Sequence, residues 1–300
     1  MSADATARVA AGTPAARPAL GVALHLAGLV TLSSLDATGK LLVAVGVPVL
    51  WVSFIRYALH FACMSAVLLP RRGRGLLSTA SLRAQVVRGL LMVATTLLFF
   101  SVLGIAPLAE ATAMNFTAPL VVMALAPWLL RERHRLHRWL GVVVGFIGTL
   151  IVVRPGGALS ATAVALGLAT AICFAFFQIA TRRVARDDAL TSNYYGGLVG
   201  TAALAVALPF APPLPELTTG QWLLLASTGA TGFLGHWLQI AAYRAAPATL
   251  LAPFTYTQIV SAAALGWAVF GQWPDATTGL GIAVIFGAGA GVALYERSRR

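Results

Sequence analysis

The chain holds 300 residues, 59% of them hydrophobic and 10% charged, with a mean hydropathy of +0.84. A soluble domain carries about 25% charged residues, so this composition excludes a water-soluble globule and predicts an integral membrane protein. The formal net charge of +12 suggests nucleic acid only until the arginines are placed, and their placement removes that reading.

Residues 1–18 are rich in Ala, Thr and Pro and predict a disordered cytoplasmic tail. No cleaved signal peptide is expected, because the apolar run that follows has the length of a full span and more spans follow. About 20 apolar residues cross the hydrocarbon core as a helix, and ten such segments fit: 19–42, 48–69, 84–104, 107–130, 136–154, 160–182, 191–210, 219–243, 247–270 and 276–295. The runs do not alternate, so a barrel is not expected. The predicted fold is an all-α membrane protein of ten transmembrane helices. Cys63 and Cys173 lie inside apolar runs without paired spacing and read as small buried residues.

The breaks are short and punctuated by Gly and Pro, as in LLPRRGRG, VRPGGALS and PFAPPLPELTTG. All of the 21 Lys and Arg residues except Lys40, Arg56 and Arg154 fall on the even-side segments, where the loop RERHRLHR (131–138) is densest. Arg88 is counted with them, in the first turn of its helix. This asymmetry predicts that both termini and the even loops are cytoplasmic, in the inner (plasma) membrane of a bacterium, with the basic residues reporting topology and lipid contact. Trp51, Trp222 and Trp273 mark outer ends and Trp128 and Trp139 inner ends, as an interfacial belt requires.

Residues 101–155 align with 241–295 at a constant shift of 140. Ala106-Pro107 falls on Ala246-Pro247, Phe116-Thr117 on Tyr256-Thr257, Leu140-Gly141 on Leu280-Gly281 and Phe146 on Phe286. The expected units are a five-helix repeat at 19–156 and a second at 157–297, with a short tail at 298–300. An odd number of spans per repeat inverts the second copy, an architecture common among transporters.

The sequence here resembles the drug/metabolite transporter superfamily, in particular the ten-helix proteins with two EamA domains. The resemblance covers nearly the whole chain. It is carried by IRY at 55–57, APLAEATAMNFTAPL at 106–120 and LLRERHRLHRWLGVVVGFIGTLIVVRPG at 129–156. Glu132 stands where that family ends its fourth helix with Gly-Glu, though Arg131 replaces the glycine. Gly271-Gln272 stands at the second such place. Within the superfamily the chain is similar to bacterial exporters of amino acids, including aromatic ones. The resemblance implies a central cavity between the halves, alternating access, and a structural arginine near Arg56.

Polar groups at membrane depth are costly and therefore candidates for function. Asp36 and Lys40 share one face of the first span, as a mutually neutralised pair or as a proton or carboxylate site. Arg56 is structural or clamps a substrate carboxylate, with Glu110 or Asp36 as partner. Pro119 and Pro253 interrupt the fourth and ninth spans and free carbonyls that must face protein or a watery cavity. The candidate cavity set is Thr95, Phe99, Asn115, Thr117, Gln178, His236, Trp237, Gln239, Tyr256 and Gln258. Aromatics with a few amides and hydroxyls suit an amphipathic solute such as an aromatic amino acid. His236 is a candidate proton-coupling group or a helix contact. Gly141, Gly145, Gly287, Gly289 and Gly291 read as close-packing positions, in a monomer or a weak homodimer.

The expected function is export of amino acids or related small metabolites, without cofactor or metal. The rivals are a multidrug or other metabolite carrier of the same superfamily, a passive channel and an intramembrane enzyme. The enzyme reading is weakened because HExxH, GxSxG and Walker patterns are absent. His134 and His137 lack companions for a metal site.

Overall fold

The computed structural model describes residues 18–129, 136–154 and 159–298. The expected N-terminal tail, most of the 131–138 loop with His134, and the last two residues lie outside them. Among the described residues all regular structure is helical. The helices are α1 (Pro18–Ala44), α2 (Val49–Arg72), α3 (Leu82–Leu103), α4 (Leu108–Asn115), α5 (Ala118–Leu129), α6 (Leu136–Val153), α7 (Ala161–Arg183), α8 (Ala189–Ala207), α9 (Thr219–Ala245), α10 (Ala248–Leu251), α11 (Thr257–Phe270) and α12 (Ala276–Ser298).

Apolar runs in lipid must satisfy their backbone groups internally, and helices do so. Their starts are capped locally. Ser81 Oγ accepts the Ala84 N–H, Ser160 Oγ accepts the Ala163 N–H, and Thr218 with Gln221 forms a capping box. Segments 18–44, 49–77, 82–103, 108–125 and 161–183 are long and apolar enough to cross a bilayer. The fourth span is α4 plus α5, broken at Phe116–Thr117. The ninth is α10, a 3-10 turn (Ala252–Tyr256) and α11. Pro119 thus sits in the first turn of α5, where its missing N–H has no partner to lose. Pro253 lies at the start of the 3-10 turn.

The packing is doubled. α1 runs along α9, as α7 runs along α3. α2 packs on α9 as α8 packs on α3, and α1 meets α11 as α7 meets α5. The pairs α2–α8 and α6–α12 are their own counterparts. Each of these contacts has an image under exchange of the first five spans with the last five, the signature of two repeats related by a two-fold. With five spans in each, the second repeat is inverted.

Both ends are tied. At the end with the basic loops, Asp188 pairs with Arg72 and, at 3.1 Å, with Arg244. Asp187 accepts from Thr79, from the Ala80 N–H at 2.9 Å and from Gln85 Nε2 at 2.8 Å. At the opposite end Arg154 pairs with Asp275, which also accepts the Thr278 N–H at 2.8 Å. Arg154 has a φ of 42°, unique among the described non-glycine residues. Such a backbone costs ~1–3 kcal/mol and persists where surrounding bonds hold it.

Candidate functional site

Between the repeats lies a cavity of about 560 Å³. Its walls come from α1, α2, α3, α4, α5, α7, α8, α9, the 3-10 turn and α11, so both halves build it. The two broken spans reach it at their breaks, through Asn115, Phe116 and Pro119 on one side and Thr255 and Gln258 on the other. Irregular backbone at membrane depth belongs where protein or a cavity receives it.

The cavity runs toward the basic-loop end. Thr181 and Tyr243 line it within three residues of the ends of α7 and α9, and Tyr243 is 50% exposed. On the other side a packed cluster closes it: Ala37, Leu42, Val47, Val52, Phe100, Leu103, Ala106, Leu108, Met114, Leu225 and Ala262. This plug buries apolar groups from six spans.

The polar floor centres on Arg56. Its Nη1 donates to Thr96 Oγ1 at 3.0 Å, and the Tyr57 hydroxyl shares that same oxygen at 3.0 Å. The guanidinium lies 5.1 Å from the Tyr57 ring centroid and 5.8 Å from that of Phe100, a cation–π setting. Asp36 stands beside Gln258 and within the field of Arg56. His60, one turn beyond Arg56, meets His236 edge-on at 5.7 Å between centroids. Nearer the mouth, Arg88 Nε donates to Thr181 Oγ1 at 3.0 Å and its Nη1 to the Ser192 carbonyl at 2.7 Å. Its guanidinium lies 4.8 Å over Phe177, which stacks on Phe174 at 5.7 Å with planes 9° apart.

Of the residues singled out from sequence, Asp36, Arg56, Thr95, Phe99, Asn115, Pro119, Gln178, His236 and Gln258 meet on this wall. Others stand elsewhere. Thr117 Oγ1 donates to the Met114 carbonyl at 2.7 Å, satisfying the break in the fourth span. Trp237 packs on Phe233 beside Met64 and Leu68. Gln239 is held by His25, whose Nδ1 lies 2.6 Å from its Oε1. Tyr256 lies between Phe116 and Phe286, at 5.6 and 4.8 Å, beside a second, apolar hollow on α11 and α12. Glu110 sits toward the plugged end with Oε2 buried and unbonded.

The mutual Asp36–Lys40 pair does not form. Lys40 Nζ donates instead to the carbonyls of Leu103 at 2.8 Å and Ala106 at 2.6 Å. The last carbonyls of a helix lack intrahelical donors and carry the negative end of its dipole. The C-terminus of α3 therefore captures the ammonium before Asp36 does. Arg88 is also displaced from its expected role. α3 starts at Leu82, so Arg88 lies in its second turn, half-buried against Thr181 and Ser192 rather than in a loop. His60, Arg88, Tyr57, Asn193 and Thr181 join the wall without having been singled out. The spacing of four between Arg56 and His60 was the available signal, since it puts both on one helical face. Gly287 and Gly291 meet nothing within 4 Å, whereas Gly145 meets Leu120 and Gly148 meets Gly281 closely.

The sequence profile of the EamA-like transporter family matches residues 19–154 and 161–294. The S-adenosylmethionine uptake transporter of Rickettsia prowazekii is 30% identical over 272 residues, 88% of this chain and 89% of the relative. The riboflavin transporter of Vibrio cholerae is 27% identical over 85% of this chain and 87% of its own. A solved crystal structure superposes with a TM-score of 0.64 at 21% identity, over 90% of this chain and 98% of the other, which speaks to the fold.

Proposed function

The chain belongs to the EamA-like transporter family, and from that premise we propose that it carries amino acids or amino-acid-derived metabolites across the bilayer by alternating access. It is a multi-pass membrane transporter and not an enzyme. The observation that carries the reading is the cavity itself. It lies between inverted repeats, opens toward one end, is plugged at the other, and presents aromatic walls with a carboxylate and two guanidinium groups. Its volume falls among sites of ~300–1,000 Å³ that enclose drug-sized ligands. Two similar halves, inverted, give two related states, one open to each side.

By the positive-inside rule the open end is cytoplasmic and the membrane is the bacterial inner membrane. An exporter loads its solute from that side. The 30% identity to an S-adenosylmethionine uptake transporter favours a second reading, import of that solute. S-adenosylmethionine joins an amino-acid head to a flat heteroaromatic ring, so both readings share one substrate chemistry and differ in direction.

Purified protein in liposomes, given labelled tryptophan, phenylalanine and S-adenosylmethionine, tests this. Saturable uptake of at least one, suppressed by the unlabelled solute, is expected. Absence of saturable uptake for all three contradicts the assignment.

A further inference from the structure

We infer that Asp36 and Arg56 are the two poles of a zwitterion-binding subsite, Asp36 receiving the ammonium and Arg56 the carboxylate of an amino-acid head group. The inference rests on the carrier reading above and assigns the orientation of the solute within that cavity.

The two residues come from adjacent helices, line one cavity and carry opposite charge. Each lies in the other's field, yet no N···O contact within 4.0 Å joins them among the described residues. A direct ion pair would close the gap. Here both side chains line the cavity instead. Arg56 is fixed from behind by Thr96 and the Tyr57 and Phe100 rings, and Asp36 is flanked by the Gln258 amide. Arg56 is thereby pre-set as a planar fork for a carboxylate.

Charge balance selects the ligand. A zwitterion inserted between the poles leaves every charge opposed by another. A bare amine or a bare acid entering the same gap leaves one pole short of its counter-charge in a water-poor site, which is strongly unfavourable. Asn115 adds an unpaired buried Oδ1, an acceptor, to the lining of the same cavity. The ring of the solute then points to the mouth. There Phe174 and Phe177 stack as a flat face with Arg88 over Phe177. The cavity thus sorts an amino-acid head inward and a planar ring outward.

The test is competition in proteoliposomes against labelled L-tryptophan and against labelled S-adenosylmethionine. Tryptamine and indole-3-propionate each lack one charge of tryptophan; decarboxylated S-adenosylmethionine lacks the carboxylate. Wild-type protein is expected to bind each of these about 30-fold or more weakly than its parent. Asp36→Asn is expected to erase the preference of tryptophan over indole-3-propionate. Arg56→Gln is expected to erase that over tryptamine and, for S-adenosylmethionine, that over its decarboxylated form. Asp36→Glu and Arg56→Lys keep each charge and are expected to restore part of the discrimination. Their melting curves in detergent separate binding loss from unfolding. Saturable uptake in which all analogues compete equally overturns the pairing and leaves the carrier reading standing. No saturable uptake of either labelled solute overturns the carrier reading and the pairing with it.

Discussion

Gly148 and Gly281 face each other where α6 crosses α12. A methyl built on Gly148 lies 3.0 Å from the Gly281 carbonyl oxygen, and one built on Gly281 lies 2.8 Å from that of Gly148. This crossing is its own image under exchange of the repeats, so the two-fold passes near it, with the backbones packed face to face. Gly148→Val is expected to force the helices apart and destabilise the fold by about 1–3 kcal/mol. A melting curve in detergent checks this. Gly287→Val, in open space, is the control and is expected to leave the midpoint in place.

The helices were legible because lipid leaves an apolar run no other way to bond its backbone. The repeat was legible because the Ala-Pro and Leu-Gly landmarks keep one spacing in both halves. The break in the fourth span was placed at Pro119, but the helix gives way earlier, at Phe116–Thr117, and restarts with the proline in its first turn. Half of the cavity wall stayed hidden for a different reason. In apolar helices such as α3 and α8 there is no polar stripe to fix which face turns inward. Arg88 therefore gained its position through the packing of α3 against α7 and α8, whereas His60 could have been found from its spacing of four to Arg56. Lys40 was misplaced because its partner is a backbone carbonyl, a group every residue carries and no side-chain pattern announces.

Lys40 seals the plugged end by bonding the Leu103 and Ala106 carbonyls. Lys40→Met keeps the stem but leaves both acceptors bare, at about 1–3 kcal/mol for each buried group left unsatisfied. The variant is expected to melt earlier. It is also expected to let a thiol reagent applied at the Arg154–Asp275 end reach a cysteine placed at Val47, which is 1% exposed in the closed plug. Unchanged labelling at Val47→Cys would mean that the amine does not hold this end shut.

Loop carboxylates bear on the acid limit of the fold: Asp187, Asp188 and Asp275 are all held below their usual range. The bond from Thr79, then the Ala80 N–H, holds Asp187 below its usual 3.8, and the Arg154 bond, then the Thr278 N–H, holds Asp275 at about 2. A depressed carboxylate contributes stability that is full above its unfolded value and is lost as pH falls through the folded one. The melting midpoint is therefore expected to be insensitive to these groups above about pH 4 and to fall between there and about pH 2. Asp187→Asn with Asp275→Asn is expected to lower the neutral-pH midpoint and to flatten part of that acid arm, Asp188 keeping its share, as a pH series of thermal scans would register.

Arg88 braces α3 to α7 and α8 through Thr181 and the Ser192 carbonyl while covering Phe177. Lysine retains the charge but not the planar fork. Arg88→Lys is expected to raise the KM for a ring-bearing solute about 5- to 30-fold, the loss of one to two kcal/mol of charge-assisted bonding and stacking, with little change in maximal rate. Initial-rate uptake against concentration separates the two parameters.

The most direct test of alternating access is counterflow. Liposomes loaded with unlabelled solute are diluted into a trace of the same solute carrying label, with no ion gradient. A carrier whose single cavity faces one side at a time exchanges inner for outer molecules, so label is predicted to overshoot its equilibrium level inside and then decay. Monotonic filling, indifferent to the internal solute, would show an open pore and contradict the account.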